Sequence, residues 1–405
     1  MIEAGPGFVS GLRDCRGRFN TSTFSAGLIA SVFGCTGPAL IIMDAAKNGG
    51  LTEAETVSWI FSIYFFGGLI SILLALYYKQ PINGAWSIPG AVLLGAALPN
   101  FPFSQAVGAY LAAGVIVFVL GVTGVIGKVM HKIPIPIVMG MIAGALIRFG
   151  TGIVSSVQKS TLIAGVAVLA YLIALRISRK LPAALIALLA GVVVGIGSIK
   201  VTGVSFTFAG PQLFRPEFSL SAFFGIALPL AILVIGAENA QAYGVLVTEG
   251  YRPPINAMTV ISGIGGIVTG IFGGHNANIA GPMTAICSSE EAGENRSGRY
   301  VATVVNGILF GAFGLFAGFA VSLVRALPAE LVALVAGLAM IAVLVSAFRE
   351  AFTPRRFSTG AFASLIVAMS GITIFRISAP FWALLAGVFV SYLVEPMDFR
   401  SENRK

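Results

Sequence analysis

Charged residues are scarce in this chain of 405 residues: Asp, Glu, Lys and Arg together make up 10%, against about a quarter in a soluble domain. Hydrophobic residues make up 57%, and the mean hydropathy is +0.94. This balance excludes a soluble globular protein. Apolar runs of about 20 residues, each long enough to cross a hydrocarbon core of roughly 30 Å, recur along the chain and predict membrane-spanning helices.

Cysteine and histidine are also rare. The three cysteines (Cys15, Cys35 and Cys287) form no CxxC pair, so we expect no disulfide, no metal site and no cofactor. The HExxH and GxSxG motifs are missing too, which argues against an enzyme. The formal net charge of +9 comes from basic residues that stand singly or in small groups between apolar runs. That pattern indicates membrane orientation and not nucleic-acid binding.

Residues 1–23 lack the compact apolar core and cleavage site of a signal peptide, so we predict a cytoplasmic N-terminal segment followed by a first span that begins near Phe24. Polar, Gly/Pro or charged interruptions then divide the chain into fourteen predicted membrane segments. Their bounds are about 24–44, 56–78, 80–99, 105–127, 133–148, 160–177, 181–198, 220–249, 257–273, 274–290, 299–324, 329–347, 358–375 and 378–395.

The polar connection 199–219 separates seven segments (24–198) from seven more (220–395), and a tail of residues 396–405 follows. Because seven is odd, the second half must be inverted relative to the first. Placing both termini in the cytoplasm puts most basic residues on that side, as the positive-inside rule expects, and puts the connection 199–219 outside. Inverted repeats are typical of secondary transporters, which bind substrate near the midplane between the repeats.

Two segments do not resemble uninterrupted helices. The third is extended and polar up to Ser87, and we predict that a helix starts at Ile88 or Pro89 with Ser87 as its N-cap. The tenth is extended over 273–278 and becomes apolar and helical from Ile279 to Ser289. A short strand followed by a half-helix spans the bilayer in each case.

In an inverted pair, the two half-helices would begin near the midplane and aim their free N–H groups into one cavity. This predicts a site for an anion or a strong hydrogen-bond acceptor. The alternative is that Gly84, Pro89, Gly273 and Gly274 only kink two packed helices.

Glu238 is the acidic residue that this topology places near the centre of a span. An unpaired carboxylate there is costly, so it should be protonated, paired or facing a wet cavity, which suits a proton carrier. The alternative is a protonated side chain that only joins two helices. His275 is a candidate substrate contact or a structural hydrogen-bonding group. The full set of predicted substrate-binding residues is Thr36, Trp86, Ser87, Ile88, Pro89, Gly90, Asn239, Gln241, Gly274, His275, Asn276, Asn278, Ile279 and Ala280.

The stretches GAWSIPGAVLL (84–94) and FGGHNANIA (272–280), followed by Ala-Ile-Cys at 285–287, resemble the signatures of the benzoate membrane transporter (BenE-type) family. The resemblance covers nearly the whole chain and implies benzoate/proton symport. The chain is more distantly similar to uracil and xanthine permeases and to sulfate-type anion transporters, which share a seven-plus-seven inverted-repeat fold. In the uracil-type permeases a glutamate followed by histidine contacts substrate; here Glu238 matches, but Asn239 replaces the histidine.

The resemblance also implies a core domain of spans 1–4 and 8–11, a gate domain of spans 5–7 and 12–14, and a dimer that could form through the gate. The sequence thus predicts an inner-membrane symporter that binds a small anionic substrate and protons within the lipid bilayer and binds no nucleic acid. A nucleobase or inorganic-anion carrier of the same fold is the alternative substrate class. A passive channel is the alternative of a different class, although the polar residues cluster at one depth.

Overall fold

The computed structural model describes residues 2–125, 134–177, 182–198, 208–375 and 377–402. Within these ranges, 7 helices are long and apolar enough to cross a membrane, and 7 further apolar helices have 10–17 residues. The predicted helical membrane protein is confirmed. The arrangement of fourteen segments as an inverted repeat stays a prediction.

The first half of the chain contains a surface helix, a series of apolar helices and one very short strand. In chain order these are α1 (Phe8–Arg18), α2 (Thr21–Cys35), α3 (Gly37–Asn48), α4 (Glu53–Tyr78), β1 (Gly84–Ala85), α5 (Ile88–Ala97), α6 (Phe103–Thr123), α7 (Ile135–Lys159), α8 (Thr161–Ile177) and α9 (Ala183–Val194).

The second half begins with α10 (Leu220–Thr248), which contains two π-helical stretches, Phe223–Ala227 and Val234–Asn239. It continues with α11 (Ile255–Ile271), β2 (Asn278–Ile279), α12 (Gly281–Ser288), α13 (Tyr300–Leu315), α14 (Ala317–Ala326), α15 (Ala329–Phe352), α16 (Ser358–Met369), a hairpin of β3 (Thr373–Ile374) and β4 (Ile377–Ser378), α17 (Ala379–Val394) and α18 (Pro396–Glu402).

The helices pack in two groups. In the first, α6 lies along α11 and α13 lies along α4 and α2; in the second, α7 lies along α15 and α16, α16 along α17, and α8 along α9. The groups touch where α5 meets α7, where α3 meets α15, and where the second π-helical stretch of α10 meets α7. Both very short strands β1 and β2 belong to the first group, since β1 packs on α4 and β2 on α11.

Several predicted segments differ from the observed helices. The segment 358–375 is helical only to Met369, because the chain turns at Gly371 (φ +64°) and continues as β3. The segment 24–44 is broken at Thr36, because Pro38 lies in the first turn of α3 and forces the helix to restart there. The segment 299–324 is two helices, α13 and α14, divided at Phe316. The segment 133–148 was predicted too short: α7 continues to Lys159, and the Thr151 and Ser155 hydroxyls donate to carbonyls of the preceding turn.

Other predicted bounds fall partly outside the described residues. These are the end of the fourth segment at 127, the start of the fifth at 133, the start of the seventh at 181, residues 199–207 of the connection 199–219, and residues 403–405 of the tail. The described part of that connection lies across the ends of helices of the first group. The Phe214 N–H donates to the Ile271 carbonyl at 2.9 Å, and the Glu217 N–H donates to the Ser104 carbonyl at 2.9 Å.

The N-terminal segment is tied to the same group of helices. The Glu3 carboxylate accepts from the Asn256 and Ala257 N–H groups in the first turn of α11, at 3.1 and 3.0 Å. In α1, the Asp14 carboxylate pairs with Lys79 at 2.5 Å. The hydrogen bond from Lys79 holds the pKa of Asp14 below its ordinary value, so this attachment of α1 persists at mildly acidic pH.

Candidate functional site

The two segments predicted to be strand plus half-helix meet each other. Strands β1 and β2 pair antiparallel, with Gly84 opposite Ile279 and Ala85 opposite Asn278. Helix α5 starts three residues after Ala85, and helix α12 starts two residues after Ile279. The pairing therefore brings the N-terminal ends of α5 and α12 together in the interior of the protein.

Glycines let the neighbouring helices approach these strands closely. A Cβ atom on Gly67 of α4 would lie 2.9 Å from the Ala85 Cα, and a Cβ on Gly265 of α11 would collide with the Ala277 carbonyl. The Ser71 hydroxyl also bonds to both the N–H and the carbonyl of Gly84, at 2.8 and 3.0 Å. The strand pair is therefore fixed by backbone contacts that a larger residue would block.

A buried network of amides and hydroxyls joins the two broken segments to α2 and α13. The Asn83 side chain donates to the Met283 carbonyl at 3.2 Å and to Thr303 at 3.0 Å, and accepts from Asn306 at 2.9 Å. The Asn306 amide oxygen in turn accepts from the Ser31 hydroxyl at 2.9 Å. Polar groups paired in this way make the surroundings of the site rigid.

The two half-helices begin with the same local chemistry. Each has a proline at its second position, Pro89 in α5 and Pro282 in α12. Because proline has no N–H, the amide that each helix offers at its tip is that of its first residue, Ile88 or Gly281. Ser87 is the N-cap of α5, as predicted, and its hydroxyl accepts from the Gly90 N–H at 3.0 Å.

The second half-helix begins later than predicted. We expected its start at Ile279, but α12 starts at Gly281. The Ile279 N–H donates to the Ser262 hydroxyl at 3.2 Å, and the Ala280 N–H donates to the Asn83 carbonyl at 2.9 Å. These two predicted site residues therefore use their N–H groups within the protein, and the amide directed into the site is that of Gly281.

Glu238 faces both helix tips. It lies in the second π-helical stretch of α10, it is 5% exposed, and its carboxyl group lies near the Ser87 hydroxyl and the backbone N–H groups of Ile88 and Gly281. Among the described residues, the ion pairs within 4.0 Å do not include Glu238. When Glu238 is ionised, its negative charge is opposed by two helix N-termini and not by a side-chain cation. Single π-helical turns are frequent at functional sites.

His275 is fully buried and uses both ring nitrogens. Its Nδ1 accepts from the Trp59 indole N–H at 3.0 Å, and its Nε2 lies 3.0 Å from the Ser87 carbonyl. Because an indole N–H can only donate, Nδ1 carries no proton and Nε2–H donates to Ser87. His275 is thus neutral in this arrangement and holds the residue that caps α5.

The predicted asparagines differ in what they contact. The Asn276 side-chain oxygen accepts from the Ser87 N–H at 3.2 Å, and Asn239 accepts from the Ser262 hydroxyl at 3.0 Å. Asn278 donates to the Ile279 carbonyl at 2.9 Å. The Asn276 amide nitrogen and the Asn278 amide oxygen are buried, and these two amide atoms have no hydrogen-bond partner within the described protein.

The other predicted residues lie around the same tips. Trp86 is buried between the rings of Tyr64 and His275, at centroid distances of 5.9 and 5.8 Å, and its indole N–H has no partner among the described residues. Thr36 lies at the break between α2 and α3 and donates to the Val32 carbonyl at 2.7 Å. Gln241 is exposed and lies against Gly281. Gly274 packs on Ser62.

Sequence reasoning missed the residues that support the site. They are Trp59, Ser71, Asn83, Ser262, Thr303 and Asn306, all buried. Each is a polar or N–H-bearing side chain within an otherwise apolar run, and such residues face the protein interior because lipid offers no partner. That signal could have identified them as neighbours of the broken segments.

Replacing His275 by phenylalanine is expected to destabilise the protein, because it leaves the Trp59 N–H and the Ser87 carbonyl buried without partners. Each such loss costs about 1–3 kcal/mol of unfolding free energy. Thermal unfolding in detergent should show the loss, and the double variant Trp59→Phe, His275→Phe should recover part of it. Unfolding like that of the wild type, together with lost substrate binding, would instead identify His275 as a substrate contact.

Comparison with known proteins adds to this geometry. The family described as BenE, benzoate membrane transport protein, matches residues 17–393. Inner membrane protein YdcO of Escherichia coli is 30% identical over 367 residues, which are 90% of this chain and 94% of that protein. The benzoate membrane transport protein of Acinetobacter baylyi is 29% identical over 385 residues, which are 95% of this chain and 98% of that protein.

Solved structures share the fold at low identity. The transmembrane domain of a cyanobacterium bicarbonate transporter, BicA, has a TM-score of 0.59 and 14% identity, covering 91% of this chain and 97% of that one. The structure of SLC26A9 has a TM-score of 0.62 and 16% identity, covering 95% of this chain and 68% of that one. At these identities the likeness concerns the fold alone.

Proposed function

Because this chain belongs to the benzoate membrane transport protein family, we propose that it is a secondary transporter that carries benzoate or a similar aromatic carboxylate together with a proton by alternating access. The resemblance noted in the two signature stretches is thereby confirmed, as is the prediction of a transport protein and not an enzyme. The names of the relatives support the inner membrane of a bacterium as its location.

The observation that carries this proposal is the position of Glu238 between the tips of α5 and α12. Its carboxyl group faces the same two backbone N–H groups that a substrate carboxylate would need. Two carboxylates at one pair of donors repel each other, so both cannot be ionised. Protonation of Glu238 removes that repulsion and frees the N–H groups of Ile88 and Gly281. Substrate binding and proton uptake are in this way the same event.

Coupling of this kind also lowers the cost of crossing the membrane. An ionised substrate bound beside a protonated Glu238 adds one negative charge and one proton, so the loaded site gains no net charge. In the empty carrier, the ionised Glu238 is stabilised by the two helix tips and needs no cation. Either state avoids an unopposed charge near the centre of the bilayer.

The proposed architecture has fourteen spans in two inverted repeats, both termini in the cytoplasm, and half-helices that start near the midplane. The two packing groups of helices support a core domain, built around β1, β2, α5 and α12, that moves against a gate domain containing α7 and α15. Dimerisation through the gate domain is part of the proposal. The fold that this chain shares with a bicarbonate transporter domain and with SLC26A9 supports the proposed architecture.

An inorganic-anion carrier is the second candidate, favoured by the likeness in fold to a bicarbonate transporter domain. Backbone N–H donors bind the oxygens of bicarbonate or sulfate as well as those of a carboxylate. The two candidates differ in whether an apolar body has to be accommodated next to the anion.

The proposal is tested with purified protein in liposomes. Labelled benzoate uptake is measured with and without an inward proton gradient, against unlabelled benzoate, uracil, bicarbonate and sulfate as competitors. Protein-free liposomes give the baseline, because neutral benzoic acid crosses lipid by itself. We expect saturable, gradient-driven uptake that unlabelled benzoate inhibits and that uracil, bicarbonate and sulfate do not. Linear flux would indicate a channel, and inhibition by bicarbonate alone would favour the inorganic-anion carrier.

Benzoate binding should weaken as the pH rises through the range in which Glu238 becomes ionised. If one proton is taken up for each benzoate bound, the dissociation constant rises by about tenfold per pH unit there. Titration calorimetry at several pH values, in buffers of different ionisation enthalpy, measures both the constant and the number of protons. A pH-independent constant without proton uptake would contradict the competition between the two carboxylates.

A further inference from the structure

Beside the tip of α5 lies a small cavity whose lining side chains are all apolar. It lies between the two packing groups, and residues of α5, α7, α10 and α17 line it. The main contributors are Pro89, Val92 and Leu93 of α5, Met141 and Ala145 of α7, and Leu233 of α10.

We infer that this cavity is the subsite for the aromatic ring of the substrate and that Met141 and Ala145 of α7 determine which ring is accepted. The inference rests on the proposed function, since it assumes that the carboxylate of the same substrate binds at the tips of α5 and α12. The subsite adds selectivity for the substrate. The helix tips cannot supply it, because backbone N–H groups do not distinguish one anion from another.

Two residues that line the cavity are close in sequence to residues of the anion site. Pro89 follows Ile88, whose N–H faces Glu238, and Leu233 precedes Glu238 by five residues, which is about one turn of π-helix. A ligand whose ring is bonded directly to its carboxylate carbon must place the ring immediately beside the donors. The apolar wall begins with Pro89, the residue next to Ile88.

The present volume of the cavity is about 10 Å³, which is roughly the space of one water molecule. A ring therefore enters only when α7 withdraws from α5. Since α5 and α7 belong to different packing groups, that withdrawal is the kind of relative movement that alternating access requires. The ring would then be held between the moving groups, and its fit would affect closure over the substrate.

The chemistry of the walls favours an aromatic acid over an inorganic anion. Bicarbonate and sulfate carry oxygens on every side and need donors around them, whereas the side chains lining this cavity offer only hydrocarbon or thioether. Contact with such a wall makes the binding free energy of an aromatic ring more favourable and that of an oxyanion less favourable. The cavity thus separates the two candidate substrate classes.

Two opposite changes of volume test the inference. Met141→Ala enlarges the subsite and should improve inhibition of benzoate uptake by 4-tert-butylbenzoate, relative to benzoate itself, by about tenfold or more. Ala145→Phe fills the subsite and should weaken the binding of benzoate by a similar factor, while inhibition by acetate stays unchanged. Val154→Phe, on the same helix but 62% exposed, is the matched control and should change neither.

The outcomes distinguish a substrate subsite from residues that serve only to pack the helices together. If the cavity residues only pack the two groups of helices together, Met141→Ala and Ala145→Phe should change the inhibition constants of acetate, benzoate and 4-tert-butylbenzoate by one common factor or not at all. Either result overturns the inference. Thermal unfolding of each variant shows that it is folded, and Met141→Ala decides the question if Ala145→Phe does not fold. If the wild-type protein neither binds nor transports benzoate, the proposed function is refuted instead.

Discussion

Glu238→Gln is expected to abolish the accumulation of benzoate driven by a pH gradient while leaving the exchange of benzoate between two pools intact. Glutamine has nearly the same shape as glutamic acid and is permanently neutral, so it imitates the protonated state that we propose for substrate binding. The variant should therefore fold, bind and exchange substrate. It has no proton to carry, so a gradient cannot drive it.

The size of the effect follows from the coupling. With one proton per substrate, a gradient of one pH unit is worth about 1.4 kcal/mol and supports about tenfold accumulation. The variant should show no accumulation above that of protein-free liposomes. Counterflow, measured in the same vesicles without a gradient, should stay within a few-fold of wild type.

Glu294→Gln is the matched control, because Glu294 is an exposed glutamate in the loop after α12. It should behave as wild type in both assays. If Glu238 only joins helices through a hydrogen bond, glutamine can supply a similar bond, and gradient-driven uptake should survive. Accumulation at the wild-type level in Glu238→Gln would refute the coupling role.

The parts of the site that could be predicted from sequence are those governed by local rules. Ser87 as an N-cap followed by Pro89 fixes the start of α5 within a few residues, and the structure confirms it. Glu238 is conspicuous because a carboxyl group inside a long apolar span is energetically costly, and such residues usually have a functional role. Neither argument needs knowledge of what lies next to the segment in space.

The parts that were missed depend on contacts between distant segments. The start of α12 shifts from Ile279 to Gly281 because Ser262 and Asn83 take the preceding N–H groups, and neither residue is near 279 in sequence. His275 likewise has its two partners in α4 and in the segment before α5. Side-chain periodicity cannot reveal such pairings, because the strands concerned have only two residues each.

The errors in helix bounds have a different origin. Arg148 suggested the end of a span, but a helix can continue past a charged residue when its polar side chains bond back to the preceding turn, as Thr151 and Ser155 do. Conversely, the apolar run through Phe316 gave no sign of a break, although α13 ends there and α14 begins. Hydropathy reports what lipid tolerates and not how the backbone turns.

Ile88→Pro is expected to raise the dissociation constant for benzoate by roughly 10–100-fold, because it deletes the one backbone N–H that we propose α5 donates to the anion. A hydrogen bond to a charged group contributes about 1.5–3 kcal/mol, and each 1.4 kcal/mol is about tenfold in affinity. Proline suits the first position of a helix, so the helix itself should persist. The preceding residue, Ser87, already has the extended conformation that proline requires, with φ −81° and ψ 111°.

The control for this change is Ile88→Val, which has as many side-chain carbons as proline and keeps the N–H. Ile88 is 7% exposed, so both variants lose a comparable amount of packing, and thermal unfolding should shift alike in the two. Only Ile88→Pro should lose affinity, which calorimetry measures directly. Equal affinities of the two variants for benzoate would mean that the substrate carboxylate binds elsewhere, and the role of the helix tips as its donors would have to be abandoned.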